Sequence, residues 1–105
     1  MIAANLRLSN LTVIYDDNRS HSRGLQIKNP ARIFGAFGCE VSEIDGHDAD
    51  AIREALERRP NGVHAIVANT VKGCGCRQLV ENHHEWHRRS PDQDQLRCLL
   101  EELRA

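Results

Sequence analysis

No stretch of this chain is apolar for long enough to cross a bilayer, since a spanning helix needs about 20 apolar residues in a row and the most apolar segments here are short. No charge of one sign dominates either. Fourteen basic and fifteen acidic side chains nearly cancel, so the positive field of a nucleic-acid binder is missing, and Arg88-Arg89 is too brief a run to make one. The N-terminus lacks the basic region, apolar core and small-residue cleavage site of a secretory signal. Cysteine is sparse: four residues, at 39, 74, 76 and 98, do not form a dense disulfide framework, and a cytosolic setting would keep them as thiols. Repeats and low-complexity segments are absent. These absences lead us to expect a cytoplasmic protein with no nucleic-acid and no membrane partner.

What is present fits one small domain of 105 residues, a size that buries a modest share of its surface and has little stability to spare. Residues 1–8 carry helix formers with apolar Ile2, Leu6 and Leu8, and Ser9-Asn10 breaks them. Leu11–Tyr15 reads as a buried strand opening into the polar loop Asp16-Asp17-Asn18. After an irregular stretch with Gly24, Asn29 and Pro30, a short helix is expected over Ala31–Phe37, ending at Gly38. Cys39–Ile44 reads as a second strand, closed by Asp45-Gly46.

A helix over 49–59 is the clearest local feature. Asp48 can cap it, Ile52, Ala55 and Leu56 share one face, Arg58 and Arg59 would oppose the negative end of its dipole, and Pro60 stops it. His64–Val71 is a third apolar strand, and Lys72–Cys76 a tight loop. Ser90-Pro91-Asp92-Gln93 then supplies a cap, a first-turn proline and a capping-box glutamine. Leu96, Leu99, Leu100 and Leu103 follow at helical spacing, as core or interface.

Strands alternating with helices predict an α/β fold: a three-layer parallel sheet of about three strands with flanking helices. Ligands of such sheets bind beyond the carboxyl ends of the strands. Those ends carry Asp16-Asp17-Asn18, Asp45-Gly46-His47-Asp48 and Lys72-Gly73.

Four stretches, in order, carry a resemblance: 11–18 (Leu-Thr-Val-Ile-Tyr-Asp-Asp-Asn), 37–48 with Ile44-Asp45-Gly46-His47-Asp48, 68–73 (Ala-Asn-Thr-Val-Lys-Gly), and 81–88 with Trp86-His87. Together they resemble the C-terminal portion of the thiamine-diphosphate-binding domain of the transketolase family, especially N-terminal subunits of split transketolases. The resemblance covers residues 1–105. It implies a partial diphosphate-binding fold and transfer of a two-carbon ketol unit from a ketose to an aldehyde.

It also implies thiamine diphosphate held through Mg2+ or Ca2+, hard cations that want oxygen ligands. By residue-wise carry-over, Asn18 and the Ser20 carbonyl would ligate the cation. Lys72 and Gly73 would lie beside the cofactor, and His87 and His84 would meet phosphate or sugar oxygens or shuttle a proton.

Where the chain departs from the family pattern, it implies partners. No Gly-Asp-Gly occurs, the activating glutamate belongs to a domain not found here, and 19–23 intervene between Asn18 and Gly24. Complementary transketolase-like subunits would have to supply the missing parts, in a homo- or hetero-oligomer that receives the sugar substrate. Alone, the chain is expected to be inactive.

Simpler readings stand beside these. Asn18 forms a turn, Asp45–Asp48 is a turn with a helix cap, Lys72-Gly73 serves backbone geometry, and Glu81 and Glu85 are solvated. Trp86 is a packing residue. Cys74, Cys76, His83, His84 and His87 have the ligand chemistry of zinc but no common zinc spacing. A truncated, non-catalytic remnant or interaction module is the alternative to an enzyme part.

Overall fold

The computed structural model describes residues 2–20, 24 and 27–104. Three six-residue strands, β1 (Thr12–Asp17), β2 (Glu40–Asp45) and β3 (His64–Asn69), form one parallel sheet in the order β1-β3-β2. β3 is central because it can be: Val63, Ala65, Ile66 and Val67 are all buried, the continuous apolar run that a strand covered on both faces requires. The register sets Asp17, Asn69 and Asp45 side by side at the carboxyl ends. β1 continues through Asp16 and Asp17, which the sequence placed in the loop.

A short helix, α1 (Ile2–Asn5), precedes β1 within the stretch read as helical from sequence, and the two crossover helices lie on opposite faces. α2 (Pro30–Ala36) approaches Val41 through Gly35, and its Phe34 meets Tyr15 edge-on at 5.9 Å. α3 (Ala49–Glu57) reaches the other side, where Ser42 points, since neighbouring strand residues face opposite ways. The three-layer α/β architecture expected from the sequence is therefore present. Asp48 caps α3 through Asp50 N and Ala51 N, as anticipated, and Gly38 follows α2 at φ 85°.

Other expectations need correcting. α3 stops at Glu57; Arg58 is extended, and its guanidinium donates to Ser42 Oγ at 2.7 Å instead of facing the helix dipole. Pro60 disfavours helical backbone just before it, and the side-chain bond holds the chain one residue further back. The 72–76 loop leads into a short helix, α4 (Arg77–Glu81), and a 3-10 turn at Glu85–His87, neither of which periodicity revealed. The last helix, α5, spans Gln93–Arg104, and its capping box is Asp92 with Gln95, bonded reciprocally at 2.8 and 3.1 Å.

The leucine stripe of α5 is only partly covered. Leu99 is buried, while Leu96, Leu100 and Leu103 are exposed. α5 is tied down by Glu102, whose carboxylate accepts the Cys76 thiol at 2.8 Å and the Gln78 N–H at 3.3 Å. The radius of gyration, 17.1 Å, exceeds the ~13 Å of a globular chain of this length.

Candidate functional site

The polar residues at the strand tips are linked to one another across the sheet. Asp16 accepts hydrogen bonds from Thr70 Oγ1 and from Asn18 Nδ2, so a β1 carboxylate joins the loops after β1 and β3. Asn18 Oδ1 accepts the Ser20 N–H at 2.9 Å, an Asx turn closed around Arg19 at φ 53°. Asp45 Oδ1 accepts the His47 N–H, and His47 Nε2 in turn accepts the Val71 N–H at 2.8 Å. The loop after β2 thus fixes the loop after β3 one residue before Lys72.

Two glycines permit these close approaches. A Cβ on Gly46 would meet Thr70 Cγ2 at 2.4 Å, and one on Gly73, at φ +83°, would meet Leu79 Cβ at 2.6 Å. Gly73 therefore sets how tightly the Lys72 loop turns into α4.

Lys72 Nζ lies 2.6 Å from His87 Nδ1. An ammonium can only donate, so Nδ1 is bare and the neutral ring carries its hydrogen on Nε2, free to donate elsewhere. Between Ser20, Lys72, His83, His84, His87 and Arg88 opens a cleft of about 400 Å³. His83 holds its ring by donating Nδ1–H to Val80 O at 3.2 Å, and packs at a 43° tilt against His84 with centroids 4.1 Å apart.

The cleft gathers four of the residues selected from sequence: Ser20, Lys72, His84 and His87. Asn18 does not line it; it sits behind Ser20 and shapes the turn. Gly73 borders the adjoining slot. His47 and Arg88 carry no site signal in the sequence, His47 because its partner Val71 lies in a loop 24 positions away; His83 stands out in the sequence only for zinc-type ligand chemistry.

Among the described residues, no carboxylate lines the cleft, and its cationic and imidazole donors suit phosphate or carboxylate oxygens. A diphosphate therefore fits the donor set. A hard cation fits less completely: Asn18 Oδ1, which keeps one lone pair beyond its bond to Ser20, and the Ser20 carbonyl would be two of its six or more oxygens. Among the described residues there is no group of three or more His, Cys, Asp or Glu able to hold a metal. The zinc reading finds no gathered ligands, since the Cys76 thiol is engaged by Glu102.

A second polar cluster lies at the opposite end of the sheet. Ser42 Oγ accepts from Arg58 at 2.7 Å and hydrogen-bonds with His64 Nε2 at 2.9 Å. Burial, then the nearby Arg58 charge, push the His64 pKa below its ordinary value, against a smaller opposing effect of Glu40. Ser and His at this distance could suggest a nucleophile and its base. His64 is only 1% exposed, so the pair is a satisfied core contact.

No protein-family model matches the chain. Individual proteins do. An apulose-4-phosphate transketolase subunit from Actinobacillus succinogenes is 36% identical over 111 residues, covering 99% of this chain and 40% of that protein. The chain is a relative of the transketolases. Transketolase-like protein 2 of Bos taurus is 33% identical over 93 residues, and transketolase 1 of Escherichia coli 31% over 90. The transketolase-related segment amounts to 15% and 14% of those two proteins, so this chain corresponds to a part of its relatives.

No helix among the described residues is long and apolar enough to cross a membrane, as expected from the sequence.

Proposed function

We propose that the chain supplies one wall of a transketolase-type site, and that with partner chains it transfers a two-carbon ketol unit from a ketose to an aldehyde. The observation that carries this reading is the cleft beside the strand tips, where Ser20, Lys72, His84 and His87 converge. All residues, 1–105, are assigned to a single partial diphosphate-binding domain, working in the cytoplasm.

Bound thiamine diphosphate would supply the carbanion chemistry, as cofactors of this kind do. The chain's own residues hold and orient. Asn18 Oδ1 and the Ser20 carbonyl offer two oxygens to Mg2+ or Ca2+. Lys72 offers a positive charge to the diphosphate, and Gly73 lets the loop come close. His87 presents Nε2–H to a sugar or phosphate oxygen while Lys72 fixes its tautomer. His84 provides a second imidazole for proton transfer or phosphate binding.

The incomplete oxygen set is the reason partners are required. Complementary transketolase-like subunits would bring the Gly-Asp-Gly segment and the activating glutamate, and the word "subunit" in the Actinobacillus relative's name is in keeping with divided chains. The same incompleteness also favours a second reading, in which the chain is a non-catalytic remnant or interaction module.

Ketol transfer measured on mixtures with candidate partner chains separates the two. Activity that needs this chain, and that falls about tenfold or more in Asn18→Ala at limiting Mg2+, supports the enzyme reading; even outer-shell metal contacts are worth roughly 10-to-100-fold. Activity indifferent to Asn18 removes that residue from the site.

A further inference from the structure

A second space opens behind the cleft. It is a slot of about 360 Å³ whose walls include Leu79, Trp86, Pro91 and Leu99, and it shares Lys72 and His83 with the cleft. The two spaces are therefore neighbours divided by a cation and an imidazole. Volumes of this size are typical of small-molecule sites, which are mostly apolar with a few polar groups that fix orientation. The slot has that composition.

Trp86 gives the slot an aromatic wall. The Arg89 guanidinium sits 4.6 Å from the Trp86 ring centre and is held there by Glu85. This fixes the indole at the edge of the slot rather than leaving it free to fill the space. Lys72, His83 and Arg89 also line the slot, and Arg88 and His87 line the cleft it adjoins. Among the described residues, no carboxylate lines either space.

We propose that slot and cleft together bind an aryl anion, with a flat apolar ring against Trp86 and Leu79 and its phosphate or carboxylate between Lys72, His83 and the cleft. The apolar walls reward burial of the ring, offset stacking on the indole adds to it, and the cationic lining residues select a ligand whose charge lies next to the ring. A free inorganic anion would use only the cleft, and a neutral ring only the slot. The anion seat is the cleft that the proposed function also uses, whereas the slot is additional to it, so the advantage of a ring-bearing anion over a bare one tests this inference alone.

The chain has one tryptophan, so its fluorescence reports directly from the slot. Unmodified protein is titrated with phenyl phosphate, with inorganic phosphate and with benzyl alcohol, following Trp86 emission and, in parallel, heat by calorimetry. The expected result is saturable binding of phenyl phosphate at least about tenfold tighter than either partial ligand, equivalent to ~1.4 kcal/mol or more. Leu79→Phe, which fills the slot, should abolish that advantage while leaving inorganic phosphate binding unchanged. Lys72→Ala should weaken both anions.

Phenyl phosphate binding no tighter than inorganic phosphate would overturn the proposal without recourse to any variant. So would an emission change that follows protein concentration alone, which would mean that a second copy of the chain occupies the slot.

Discussion

Lys72 and His87 stand fifteen positions apart in sequence, yet their tips are 2.6 Å apart. That contact makes His87 a fixed donor and gives the residue a measurable role. In an assembled, active complex, His87→Ala should lower kcat by about 100-fold or more, within the range of positioned acid-base groups, and steady-state kinetics on the complex would read it.

His64 makes a separate prediction. Its folded pKa lies below the unfolded value near 6.5, so the unfolded chain binds more protons as pH falls through that region. The contribution of the neutral, bonded imidazole is therefore complete above about pH 6.5 and is lost progressively below it. Urea unfolding at pH 7.5 and 5.5 should show lower stability at the acid value, and His64→Gln should flatten the difference.

At this scale the sequence was informative about residue types and weak about contacts. Asn18 and Asp48 announced a turn and a cap because such bonds are local. His47 to Val71 and Ser42 to His64 were not legible, since each joins residues more than twenty positions apart.

Among the elements, the strands and α3 were readable from apolar runs and the Asp48 cap, but burial follows the pattern only in β3: β1, read as a buried strand, has no buried residue and leaves Ile14 exposed, and α3 buries Ala55 while Leu56 is exposed. β3 was clearest, as a central parallel strand is buried on both sides. α4 and the 3-10 turn were not readable, because they are too short for periodicity and are set by the turn at Gly73. Gly73→Ala should destabilise the protein by about 1–3 kcal/mol, the usual cost of a strained backbone conformation, with the contact to Leu79 acting in the same direction. Thermal melting would detect it, together with a loss of anion binding if the Lys72 loop shifts.

Glu102 anchors α5 in a similarly specific way. Its pKa is lowered, first by the Cys76 thiol and then by smaller contacts that include Gln78 and Arg77, against some desolvation. The anchoring is therefore complete above the ordinary carboxylate range and weakens as pH falls through the lowered value. Glu102→Gln should loosen α5 at neutral pH, seen as faster amide exchange over 93–104.

As a whole the molecule is open: its extents are 52 × 31 × 17 Å, and Ile14, Leu96, Leu100 and Leu103 face outward. Among the described residues β1 lies at the edge of the sheet, with only β3 beside it, and an open edge next to apolar surface invites a partner. Gel filtration over a range of concentrations should show association, diminished by Ile14→Lys on β1. The fold class was legible from alternating strands and helices, and exposed edges with uncovered apolar faces are what so partial a sheet leads one to expect; which leucines of the stripe stay bare was not legible, because the stripe looks the same whether it is covered or bare.

The central claim is that this chain provides one part of a shared diphosphate site. Equilibrium binding of thiamine diphosphate to a mixture with a partner carrying Gly-Asp-Gly, with and without Mg2+, tests it most directly. The account predicts tight, Mg2+-dependent binding only when both chains are present. Equal binding by the partner with this chain left out would contradict it.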